Sequence, residues 1–269
     1  MHNRKVVATL ILAAAVAVGA CDAVTGGTGG SPIGVGGISA RSKGTGYTVA
    51  PQIAFYRVAG ANFVSAQGVK DTCYLAAYSE PSTSGQISAA ALGAGPYIIV
   101  ALGSRTDSLV RTGGALDAAY RSTLASGIPF TPGDSMVITV PGDRAGFPAS
   151  TFRGKTAEPF SMVPIGTPVA GSPINLTWTA ASDLNAAMFV TFRYSAAGTA
   201  PATLNRQVAC AFVDDGSGQV PATVAAEWVA AATRDYTAQR IRTILTQIDL
   251  PLSYFNIVST FDWPTPVSP

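Results

Sequence analysis

Nearly half of the 269 residues are apolar, enough to bury one large core or two ordinary ones, which excludes a chain disordered throughout. Only 12% are charged and the formal net charge is +2. The 13 Arg and 4 Lys are scattered, so no basic stripe awaits a phosphate backbone and nucleic acid is excluded as a partner.

Arg4 and Lys5 form a short basic head, and Val6 to Val18 is an apolar run broken only by Thr9. Gly19 and Ala20 then precede Cys21, the pattern of an export signal over residues 1–20. The run falls short of the ~20 apolar residues of a membrane span. Val18-Gly19-Ala20-Cys21 resembles the lipobox of bacterial lipoproteins. That resemblance implies cleavage before Cys21 and lipidation of its thiol, the mature protein being held at the membrane by its acyl chains. The alternative is an ordinary secretory signal with Cys21 a bystander.

Residues 21–46 contain nine glycines and few large side chains, and read as a lipidated cysteine followed by a flexible spacer. A loop packed on the domain is the other reading of Ile33 to Ile38.

From Tyr47 onward, strand signals follow one another between Gly, Pro, Asp and Ser clusters. They fall at "QIAFYRVA", "DTCYLAAY", "PYIIVALG", "DSMVITVPG", "PINLTWTA", "AMFVTFRYS", "NRQVACAFV", "QRIRTILTQI" and "SYFNIVSTF". Alternation puts Met136, Ile138 and Val140 on one face, likewise Ile174, Leu176 and Trp178, and again Met188, Val190, Phe192 and Tyr194. One short helix is predicted over Thr223 to Ala231, after Pro221.

A Pro-rich connection at Ala157 to Ser172 divides two β-rich stretches. The fold class expected is all-β: a β-sandwich, as two immunoglobulin-like or related domains at 47–168 and 169–269. The second has only five or six strands, so it borrows strands from the first or the two form one continuous structure.

"PFTPGDSMVITVPG" (Pro129 to Gly142), "INLTWTA" (Ile174 to Ala180) and "CAFVDDGSGQVP" (Cys210 to Pro221), taken in order, are similar to a pattern in uncharacterised bacterial envelope lipoproteins. The resemblance implies a tethered β-sandwich and carries over no catalytic residue.

The sole histidine, His2, lies in the signal, so the mature chain has no imidazole for Ser-His-Asp or Cys-His catalysis or for His-based metal sites. No phosphate loop and no Gly-x-Ser-x-Gly elbow occurs, and no Ser-x-x-Lys spacing serves Lys43, Lys70 or Lys155. Neither a metal nor another cofactor is expected. Asp214 and Asp215 have two readings. Adjacent strand residues point to opposite faces, so they are no retaining or inverting pair with each other, and an acid such as Asp134, Asp143 or Glu227 would have to complete one. Calcium is the weaker metal reading.

The structural reading makes Asp214-Asp215-Gly216 a hairpin tip, with Cys210 opposite Val220, and puts Cys210 and Phe212 on the inner face. Cys73 and Cys210 remain after Cys21 is lipidated. Either they bond in an oxidising envelope or they are two separate buried thiols. Trp178 is in phase with the core, whereas Trp228 and Trp263 are open to a sugar-stacking role.

The function expected is a membrane-tethered, non-catalytic lipoprotein of the bacterial envelope, at the inner or outer membrane, with a binding or structural role toward an envelope protein or polysaccharide. The alternative is a carboxylate-dependent glycan-active enzyme or carbohydrate-binding module.

Overall fold

The computed structural model describes residues 30–43, 46–58, 65–78, 91–113, 118–182, 185–196, 203–248 and 253–263. Cys21, the segment expected to be an export signal and the rest of residues 1–29 lie outside them. In chain order the strands are β1 (Ser31–Ser39), β2 (Arg41–Lys43), β3 (Gly46–Val49), β4 (Gln52–Val58), β5 (Thr72–Ala77), β6 (Tyr97–Leu102), β7 (Arg105–Thr112), β8 (Ala119–Arg121) and β9 (Ile128–Phe130). There follow β10 (Ser135–Val140), β11 (Ser150–Lys155), β12 (Ile174–Thr177), β13 (Ala186–Tyr194), β14 (Arg206–Val213), β15 (Ser217–Val220), helix α1 (Ala222–Ala230), β16 (Arg234–Ile248) and β17 (Ser253–Asp262). The fold is an all-β sandwich with a large mixed sheet in the hydrogen-bond order β11-β10-β6-β7-β8-β4-β1-β17-β16-β13-β14-β5. Two small sheets, β12-β15 and β2-β3-β9, complete it.

Two compact units divide the chain, and no single cut near residue 168 separates them. One takes Met1–Ser65, Pro81–Ala157 and Arg242–Thr260, and the other takes Ala66–Glu80, Glu158–Ile241 and Phe261–Pro269. The borrowing expected from the strand count takes a definite form. β5 comes from the N-terminal half and joins the second unit, while β16 and β17 run through both.

In the first unit the alternation of β10 puts Met136, Ile138 and Val140 inward at no more than 1% exposure, beside Ile98, Val100 and Leu102 of β6. Phe152 of β11 stacks on Phe255 of β17 with centroids 3.7 Å apart. Phe55 and Phe147 fill the space beside them, their centroids 4.7 Å apart.

The expected spacer is corrected over its second half. Residues 31–39 form β1, inserted between β4 and β17 and parallel to β17. Its glycines answer to packing. A Cβ on Gly34 would lie 2.6 Å from the Phe255 ring and 2.7 Å from the Phe55 ring, and one on Gly36 would lie 2.7 Å from the Gln52 carbonyl oxygen. Both glycines therefore let aromatic and backbone groups approach a strand that any larger residue would hold away. Ile33 and Ile38, on either side of them, are buried.

Gly34→Ala overpacks this contact and is expected to cost ~1–3 kcal/mol. Urea unfolding followed by circular dichroism measures it, with Gly37→Ala as the mild control, since no atom lies within 4 Å of a Cβ there.

Candidate functional site

The second unit holds every residue singled out in "CAFVDDGSGQVP". β14 lies between β13 and β5, with Val190 and Cys73 on either side of Cys210. Cys210 and Phe212 face inward at 2% and 0% exposure. Cys73 and Cys210 are disulfide-bonded across a directly opposed pair, with S–S 2.06 Å and Cα atoms 4.1 Å apart.

The hairpin expected at Asp214-Asp215-Gly216 is corrected. Because β13 and β5 occupy both edges of β14, β15 has no place beside it, and the chain turns away to pair β15 with β12. Val220 stands opposite Ile174, not Cys210. Gly216, at φ 104°, makes the turn, in a region of backbone space that favours glycine. The Gly216 carbonyl accepts from the Trp178 N–H at 2.9 Å.

Asp214 and Asp215 part company at this turn. Asp215 is exposed and caps the turn, accepting from the Ser217 N–H at 3.1 Å. Asp214 turns inward to 3% exposure. Its Oδ1 accepts from the Trp178 indole N–H at 2.7 Å and from Arg240 Nη2 at 3.0 Å, and its Oδ2 accepts from Arg240 Nε at 2.6 Å. Arg240 is fully buried. Its guanidinium also donates to the carbonyls of Pro159 at 3.0 Å and of Thr179, and lies 5.3 Å from the Phe160 ring centroid. Such a pair is geometrically complete, and neither member is open to a substrate.

Asp134, Asp143 and Glu227 do not join Asp214. Asp134 accepts from the Thr131 N–H and Asp143 from the Ala145 N–H, each within its own turn. Glu227, on α1, accepts from the Tyr194 hydroxyl at 2.8 Å. Burial, then the bond to Glu227 and that carboxylate's charge, push the Tyr194 hydroxyl up to about 12, with Arg206 opposing. Among the described residues no group of three or more His, Cys, Asp or Glu is placed to hold a metal ion.

The tryptophans are largely spent on packing. Trp228 is fully buried against Phe192, and Trp178 is 5% exposed and lies 5.8 Å from Phe212. Trp263 is half-buried beside Phe160. What the second unit does present is β5, a terminal strand of the large sheet, with Tyr74 59% and Leu75 53% exposed. Apart from its ladder to β14, the disulfide and an Asp71 carboxylate that accepts from the Val213 N–H at 2.9 Å hold β5 and its approach in place.

Arg240 was not singled out from the sequence, although a signal existed. In "QRIRTILTQI" it is a charge set in phase with Tyr236 and Ala238, on the buried face of a strand. A charge at such a position calls for a buried partner. Compared with protein families, curated proteins and solved structures, the chain matches none.

Two outcomes follow from this geometry. Asp214→Asn leaves the Arg240 charge buried without its counter-ion and is expected to destabilise by ~3–5 kcal/mol, whereas Asp214→Asn with Arg240→Met recovers much of the loss. Thermal melts of both variants measure this. For Tyr194, a folded-state value raised above the ordinary 10 means stability that is present below pH 10 and lost as pH climbs from 10 toward 12. A series of melts from pH 8 to 12 should show a steeper alkaline decline in the parent than in Tyr194→Phe.

Proposed function

We propose that the chain is a membrane-tethered envelope lipoprotein whose β-sandwich fold has a non-catalytic binding or structural role. The observation that carries this reading is the Cys73–Cys210 bond. Disulfides form and persist in oxidising compartments, which agrees with export directed by residues 1–20 and lipidation at Cys21. Chain entropy gives such a bond real weight. A closure spanning 137 residues of sequence stabilises by roughly 5 kcal/mol on the loop model, so the protein depends on the oxidant of its compartment.

A second support comes from the acids. Asp214, the buried candidate for carboxylate chemistry, is engaged by Trp178 and Arg240 on both of its oxygens. The alternative of a glycan-active enzyme draws nothing from it, and a carbohydrate-binding role loses Trp178 and Trp228 as stacking platforms because both are buried. The partner is an envelope protein or polysaccharide, met at the inner or outer membrane.

Metabolic labelling with a palmitate analogue, followed by membrane fractionation, tests the reading. The parent chain is expected in the membrane fraction with label, and Cys21→Ser is expected exported but unlabelled and released from the membrane. A labelled or membrane-bound Cys21→Ser chain would overturn the proposal.

A further inference from the structure

The large sheet ends in β11 in the first unit and in β5 in the second. β5 pairs with β14 on one side and ends the hydrogen-bond order on the other. The 4.1 Å Cα separation of Cys73 and Cys210 is that of a pair whose backbone groups point away from each other, and the Tyr78 N–H donates to the Asn205 carbonyl at 2.9 Å. Even-numbered residues of β5 therefore direct their backbone groups at β14. Cys73, Leu75 and Ala77, with Asp71 before them, direct theirs outward.

Sheet edges are ordinarily guarded by a charge, a proline or a bulge. β5, "TCYLAA", has neither a charge nor a proline, its six residues pair with β14 without a bulge, and Tyr74 and Leu75 stand exposed at its centre.

We infer that a second copy of this chain occupies the edge, β5 against β5, antiparallel about a two-fold axis at Tyr74. This register places Cys73 opposite Leu75 of the second copy and Asp71 opposite Ala77 of the second copy. Those are the residues whose backbone groups are open, so each pair exchanges both of its hydrogen bonds. The two Tyr74 rings meet across the axis in a non-hydrogen-bonded pair, where opposed side chains come closest.

Charge selects a second copy over an arbitrary extended peptide. Arg206 is exposed and lies opposite Ala77 on β14, so Asp71 of the second copy arrives on the same face one strand away, with only the small Ala77 between them. The two-fold sets this opposite-charge pair on one face twice, an attraction across one strand while one Asp71 oxygen accepts from the Val213 N–H of its own chain, and the uncharged strand between introduces no repulsion. The inference does not depend on lipidation.

Sedimentation equilibrium of the purified full chain in density-matched detergent tests it. The parent is expected at the mass of two chains. Leu75→Pro removes an outward N–H while sparing the ladder with β14, a substitution that sheet edges tolerate. Tyr74→Lys sets two ammonium groups across the axis. Both are expected at the mass of one chain, with thiol counts showing the Cys73–Cys210 bond intact. Asp71→Arg should weaken association about tenfold or more, and adding Arg206→Asp should restore it. Dissociation constants for these two variants follow from the same runs. A parent of one-chain mass at every concentration, a dimer indifferent to Leu75→Pro and Tyr74→Lys, or a failed charge-swap rescue would each overturn the inference.

Discussion

A carboxylate and a guanidinium, both withdrawn from water, fix the point at which the second unit changes sheets. Asp214 directly follows β14 and Arg240 rises from β16, and their contact holds the turn that delivers β15 to β12. Taking either ion out of water costs several kcal/mol, which a single pairing offsets only when the remaining acceptor sites of the acid and donors of the base are also satisfied. Here they are satisfied by Trp178 on the acid and by backbone carbonyls on the base. The consequence is specificity of path. A β14–β15 hairpin would bring Asp214 to solvent and strand Arg240 in the interior.

Much of the strand inventory was legible from alternation alone. Met136, Ile138 and Val140 are inward as expected, and so are Met188, Val190, Phe192 and Tyr194, because a period of two is a direct consequence of the pleat. Turn chemistry was less informative. Asp-Asp-Gly correctly marks a reversal, but which strand receives the returning chain depends on free edges, and β14 has none. The disulfide was posed as one of two outcomes, since cysteine identity says nothing of separation in space.

Glycine misled most. Composition over residues 21–46 resembles that of a flexible linker, and the same residue type serves where neighbours press closest. Gly34 and Gly36 belong to the second case, with the Phe55 and Phe255 rings and the Gln52 carbonyl at the places a side chain would occupy. These contacts come from strands distant in sequence, so the local pattern holds no trace of them. Arg240 illustrates the converse, a charge whose position on a buried face announced a partner without naming it.

For the proposed anchor at Cys21, the place of β1 would also shorten the leash. If the spacer ran to residue 46, the folded part could roam up to ~90 Å from a lipid on Cys21, at the ~3.6 Å per residue of a fully extended chain. With β1 fixed from Ser31, only residues 22–29 intervene before the described chain begins, and the same arithmetic allows no more than ~30 Å. A protein so tied, if Cys21 is lipidated as proposed, would sample a thin layer above its membrane. Whatever it met would have to come to that layer, and two copies so tethered would be confined to the same narrow height, where encounter is a search in two dimensions.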